Sequence, residues 1–243
     1  HLIMAINMPV VGKVLVSSRR LRPNHAPPPD VTTIDVQADG EKDPVSAVRF
    51  WKDQIHEARC GSVRAWVVLH CFAGPRRSGD VEQWLTRCAA KCGVRLCMLS
   101  MDIMRGADHD LTSDAVYDEL YQLCAAGHID LLLGGPPCAT FSRARFRHLP
   151  GPRPVRGREP QDLWGLTGLT ASETAAVTQA NVLLCHFVSL CEATSVAGGG
   201  YLFEHPADAG DGFPSVWAMG LVREFEARCG GRRVTFHQCM TGG

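Results

Sequence analysis

The chain of 243 residues has no surplus of either charge, with 25 Lys plus Arg against 25 Asp plus Glu. Binding to nucleic acid or membrane through uniform charge is thereby set aside, although a local patch is not. It also lacks any apolar run near the ~18 residues that a membrane helix needs. Residues 2–16 are apolar, but Asn7, Pro9, Gly12 and Lys13 interrupt them and no small-residue cleavage site follows. The segment reads as neither signal peptide nor anchor. The eleven cysteines are odd in number and include no C-x-x-C pair. That argues against a disulfide framework or zinc ribbon, and for reduced thiols in an intracellular, metal-free protein. Cys88, Cys92 and Cys97 are spaced loosely like ligands, but small hydrophobes on a buried face account for them better. G-x-x-x-x-G-K-[ST], G-x-S-x-G and H-E-x-x-H are all missing, which removes three common enzyme classes. A zinc deaminase needs a cysteine three residues past Cys138, where Phe141 stands.

Apolar residues make up 45% of the chain and charged residues 21%, the composition of a folded domain rather than a disordered one. The length suits one large or two small domains. Residues 1–62 read as an N-terminal extension, with a proline-rich linker at 22–30 and a helix over 44–59. From residue 63 the texture alternates between strand and helix. Strands are expected at 65–71, 94–99, 129–133, 201–204 and 233–238. Helices are expected from Asp80, as N-cap, to 91, and over 112–127, 172–193 and 214–229. Continuous apolar strands between helices predict an α/β fold, a doubly wound and mostly parallel sheet with helices on both faces.

In such a sheet ligands bind beyond the carboxyl ends of the strands. Those ends carry FAGPRRSGD (72–80), Met101-Asp102, GGPPCATFS (134–142) and Glu204-His205-Pro206. Gly74 and Gly79 let the backbone approach a ligand at a helix N-terminus. Asp102 sits where nucleotide-binding folds place an acid for ribose hydroxyls. Cys138, on a rigid Pro-Pro-Cys turn, is aimed into the cleft as a nucleophile rather than packed as a core thiol. Glu204 ends an apolar strand, where burial would raise its pKa and let it donate a proton.

Phe72-Ala73-Gly74, the acid at 102, Gly-Gly-Pro-Pro-Cys-x-x-Phe-Ser and Glu-x-Pro occur in an order that resembles the cytosine-C5 DNA methyltransferase family over residues 63–240. The resemblance implies the S-adenosylmethionine-dependent methyltransferase type of sheet and S-adenosylmethionine as cofactor. It implies a Cys138 adduct at C6 of cytosine, assisted by Glu204 at N3, with base flipping if the DNA is double-stranded. It gives cofactor contacts to Phe72, Ala73, Gly74, Gly79, Asp102, Asp110, Leu111 and Pro137. Substrate contacts fall to Ser142, Arg143, Arg145 and Arg147. DNA is the implied partner, with RNA left open, no membrane, and flanking domains of a longer polypeptide. The nucleus is the expected location in a eukaryote.

The chain departs from the family at several points. The compact Phe-x-Gly-x-Gly turn is spread out by Arg76 and Arg77, Ala139 follows the nucleophile, and His205-Pro206 follow the acid. His237-Gln238-Cys239-Met240 stands near the family's Gln-x-Arg-x-Arg, and no target-recognition region follows. A non-catalytic methyltransferase-like module binding nucleic acid or a partner chain is the alternative. The neutral charge hides two opposite blocks: seven acids and one Arg over 102–130, and six arginines with no acid over 143–158. The basic block follows the nucleophile, where a phosphate backbone would pass or a mobile lid would lie.

Overall fold

Six strands form one sheet in the computed structural model, which describes residues 12–16, 45–60, 64–147, 150–208, 210 and 212–236. In chain order they are β1 (Gly12–Val16), β2 (Trp66–Cys71), β3 (Leu96–Met101), β4 (Leu131–Gly134), β5 (Gly200–Pro206) and β6 (Arg232–Phe236). The helices are α1 (Ser46–Cys60), α2 (Val81–Lys91), α3 (Asp114–Ala125), α4 (Ala171–Val196) and α5 (Gly220–Cys229). Strand order is β3-β2-β4-β5-β1-β6. The first four strands are parallel, and β1 runs antiparallel to both β5 and β6.

Strand alternation divides the apolar residues between two faces. Val67, Leu69, Leu99, Leu132, Tyr201 and Phe203 meet α1, α3, α4 and α5 in the main core. Val68, Leu133, Met98 and Leu202 meet α2 through Leu85, Val81 and Trp84. The chain is therefore a doubly wound, mostly parallel α/β protein with helices on both faces, as the strand–helix alternation predicts. The helix starts are set by side chains. Asp80 accepts the Gln83 N–H at 2.9 Å, and Thr170 with Glu173 forms a capping box at α4. Among the described residues, α4 alone is long and apolar enough to cross a bilayer. Its Leu184, Phe187, Val188, Leu190 and Cys191 are nonetheless buried in the main core.

Three expectations change. The helix expected over 214–229 is split, because Met219 takes an extended ψ of 135°. A short 3-10 turn, Val216–Ala218, precedes the break and α5 begins at Gly220. Strand β5 continues through Pro206, pairing with Gly12 of β1. The N-terminal extension also joins the rest. Strand β1 fills a place inside the sheet, and Val48, Trp51 and Ile55 of α1 belong to the main core. The proline-rich stretch 22–30, the boundary at 62 and the tail 237–243 lie outside the described residues.

Candidate functional site

Strands β3 and β4 flank β2 on opposite sides, so the chain reverses its direction of travel across the sheet at β2. The carboxyl ends of β2 and β4 meet at that reversal, the place where such sheets bind ligands. Gly134 makes the close approach possible. A Cβ there would stand 2.7 Å from the Cys71 carbonyl oxygen and 2.8 Å from Cε2 of Phe187.

Beyond Gly134 the chain turns through two prolines, with Pro136 buried and Pro137 and Cys138 exposed. Cys138 opens the 3-10 turn Ala139–Phe141, and its carbonyl accepts the Phe141 N–H at 2.9 Å. Thr140 and Phe141 are buried. The turn is thus anchored from beneath while Cys138 faces solvent. On neighbouring β5, Gly134 pairs with Phe203, which brings Glu204 alongside Gly135. The Glu204 carboxyl lies over that glycine, since a Cβ on Gly135 would stand 2.5 Å from Oε2. Its Oε1 is buried without a hydrogen-bond partner. Burial pushes the Glu204 carboxyl above its ordinary range. Burial first and the Glu204 carboxylate second push the Cys138 thiol up, against a lowering backbone hydrogen bond. Because Cys138 is exposed, the part owed to Glu204 is the one a solution experiment can isolate.

The end of β2 is arranged differently. Phe72 adopts a left-handed φ of 59°, rare for a side chain of its size, and packs edge-on against Phe187. The Ala73 N–H bonds to the Met101 carbonyl at 3.0 Å. Asp102 is shared between two backbone donors, Gly74 N–H to Oδ2 at 2.8 Å and Met104 N–H to Oδ1 at 2.9 Å. Arg105 Nε donates to the Gly74 carbonyl. The Gly79 N–H is taken by Gln83 Oε1. Asp110 closes its own turn by accepting both the N–H and the hydroxyl of Thr112. The side chain of Leu111 is buried in the core and its carbonyl bonds His186 Nδ1 at 2.8 Å.

Beneath this loop is a polar cluster that the sequence did not reveal. Buried Glu82 accepts from the Ser100 hydroxyl and from Arg76, both at 2.7 Å, with Arg105 at 3.8 Å. Buried His70 is held neutral, pulled down to about 4 by burial and then by Arg105, against smaller opposing effects of Asp80 and Asp102.

The arginines after Cys138 divide by task. Arg145 donates from Nε to the Ala139 carbonyl at 2.8 Å and to the Arg153 carbonyl at 3.1 Å. Arg153 forms a two-pronged pair with Glu173 and also reaches the Gly168 carbonyl. Arg156 is 1% exposed, donates to the Thr140 hydroxyl and the Leu163 carbonyl, and lies over the Phe141 ring at 4.1 Å. These three serve as internal staples. Arg143 is exposed and lies 5.3 Å over Phe213, while Arg147 and Arg158 are exposed. Ser142 caps the turn Arg143–Phe146 through the Ala144 N–H.

Cys138, Glu204 and Pro137 therefore gather at the ends of β4 and β5. Phe72, Ala73, Gly74, Gly79 and Asp102 gather at the ends of β2 and β3. No family model, curated protein or solved structure matches the chain. Fold and site define a doubly wound α/β protein with a thiol and a carboxyl paired where the strand order reverses.

Proposed function

We propose that the chain transfers a methyl group from S-adenosylmethionine to C5 of a cytosine in DNA, through a transient bond between Cys138 and C6. One observation carries this reading. An exposed thiol and a buried carboxyl with an unpartnered oxygen occupy adjoining strand ends. The negative charge on Glu204 opposes the thiolate, so protonating Glu204 favours it. A proton moved from the thiol to that carboxylate makes both active groups at once: a thiolate for C6 and an acid for N3. Thiolate addition at C6 forms the S–C6 bond and leaves electron density at C5, while Glu204 protonates N3. Once C5 carries the methyl group, its proton departs to a base. The S–C6 bond then breaks, the 5,6 double bond returns and Glu204 recovers its proton.

The groups at the ends of β2 and β3 fit the cofactor. A Cβ on Gly74 would meet only Arg77, at 4.0 Å, and one on Gly79 would meet nothing within 4 Å, so space is open above both. Each Asp102 oxygen accepts one backbone N–H and keeps capacity for a ribose hydroxyl. Phe72, Ala73, Gly74, Gly79, Asp102 and Asp110 would hold the ligand, with Leu111 supporting it from the core and Pro137 as a wall. S-adenosylmethionine supplies an electrophilic methyl group on a cationic sulfur.

The alternative is a non-catalytic module that binds nucleic acid or a partner chain. It draws on the same loop, where Gly74, Asp102 and Gly79 already satisfy one another or nearby groups. A 5-fluorocytosine oligonucleotide, as DNA and as RNA, tests the first reading in the presence of S-adenosylmethionine. An adduct stable on a denaturing gel is expected with DNA and is lost in Cys138→Ala. Absence of any adduct from the folded protein, with no calorimetric binding of S-adenosylhomocysteine, would establish the alternative.

A further inference from the structure

Arg156 presents an uncommon combination. Its guanidinium is 1% exposed, forms no ion pair with a carboxylate among the described residues, and has one nitrogen, Nη2, buried without a hydrogen-bond partner. Burying a cation without a counter-charge is costly, and here it pulls the group down to about 10. Apolar residues of similar length would fill the space at less cost, so packing does not explain an arginine.

Its contacts do. Nε holds the hydroxyl of Thr140, two residues past Cys138, at 2.9 Å. The planar cation lies on the ring of Phe141, three residues past Cys138. That ring in turn packs edge-on against His205, 5.3 Å between centroids, next to Glu204 on β5. His205 is buried and kept neutral, pulled to about 3 by burial and then by Arg156 itself. From the far side, Nη1 ties the guanidinium to the Leu163 carbonyl. One cation thus touches the turn that carries the thiol and, through one ring, the strand that carries the acid.

We propose that Arg156 is a positioning residue that sets the separation of Cys138 and Glu204, joining the turn after β4 to the end of β5 through Thr140, Phe141 and His205. The inference rests on the proposed function only in taking these two side chains as the working pair. Its test needs no methyl transfer. A lysine in this place would keep the charge and lose the fork and the flat stacking face.

The experiment follows carbamidomethylation of Cys138 by iodoacetamide against pH, read peptide by peptide by mass spectrometry, with exposed Cys60 and Cys92 as internal references. In the wild-type background Glu204→Gln removes the charge facing the thiol, and the Cys138 midpoint is expected to fall by roughly half a pH unit or more. In Arg156→Met and Arg156→Lys that response to Glu204→Gln is expected to shrink to less than about half its wild-type size. Thr140→Val, which removes a single hydrogen bond, should shrink it less and in the same direction. The reference cysteines should not respond. A full wild-type response to Glu204→Gln in both folded Arg156 variants would overturn the proposal. Should neither fold, Thr140→Val decides, and an undiminished response there would overturn it. If Glu204→Gln leaves the wild-type midpoint unmoved, the pair itself is absent and both this proposal and the covalent mechanism fail. Failure confined to the oligonucleotide adduct leaves the positioning role standing.

Discussion

The two halves of the cleft are built on opposite terms. At the ends of β2 and β3, polar groups satisfy one another: Asp102 holds Gly74 and Met104, Gln83 holds Gly79, and Glu82 is shared by Ser100 and Arg76. At the ends of β4 and β5, the Glu204 carboxyl keeps an unpartnered oxygen, Arg156 an unpartnered nitrogen, and Cys138 stands exposed. Unsatisfied buried groups cost free energy and persist where something other than stability requires them. The first half is therefore a preformed floor. The second is where reactivity is concentrated.

The sharpest way to break that contrast is at the seam. Gly134 belongs to both halves, because it pairs with Cys71 and precedes the Cys138 turn. A methyl group there would drive into the Cys71 carbonyl and the Phe187 ring, neither of which can yield without moving β2 or α4. Gly134→Ala is expected to cost about 3 kcal/mol or more of unfolding free energy, measured by urea titration. A loss below ~1 kcal/mol would mean that the strands separate easily there and that the two halves are not rigidly joined.

Acid should strain both halves through different histidines. His70 beneath the β2 loop is lowered to about 4, and His205 beside Glu204 to about 3. An unfolded histidine titrates near ~6.5, so below that pH the unfolded chain binds protons that the folded one refuses. Stability therefore falls as pH drops from ~6.5 towards 4, by at most about 1.4 kcal/mol per pH unit for each histidine. His70→Gln should flatten the slope over that whole window. The part that remains belongs to His205 and continues towards pH 3. An unchanged slope in the His70 variant would show that this histidine is not buried neutral.

How much of this is readable from sequence depends on whether the signal is local. The apolar run 65–71, the N-cap Asp80 and the Pro-Pro-Cys turn announce themselves within a few residues, and the fold follows from their alternation. Glu204 is legible because an acid ends an apolar strand. The place of β1 is not, since nothing in GKVLV says which edge it will meet 190 residues later. The basic block misleads for the same reason. Six arginines in a row of loops look like one charged surface, yet Arg145, Arg153 and Arg156 are spent on Ala139, Glu173 and Thr140. Those partners lie 6, 20 and 16 residues away in the chain. The loop that composition suggests as a mobile lid is stapled at three points. Only the juxtaposition of Val155 with Arg156 in a basic stretch hinted at a buried member.

The finest comparison sets one glycine of each half against the other. Gly74 has a left-handed φ of 67°, and a Cβ added there meets only the tip of Arg77 at 4.0 Å. Gly74→Ala therefore costs backbone strain, about 1 kcal/mol, and little packing. Gly135 presents the reverse case. It lacks a positive φ, and its Cβ would meet the mobile end of Glu204 at 2.5 Å. Gly135→Ala should leave stability within about 0.5 kcal/mol of wild type, because the carboxyl can swing aside. Swinging aside is the point: the acid leaves the thiol, so the Cys138 alkylation midpoint should fall as it does in Glu204→Gln, while Gly74→Ala leaves it in place. If instead Gly135→Ala is the costlier change to stability and the midpoint stays fixed, Glu204 is locked in the wall of the protein. The second half would then be as self-satisfied as the first.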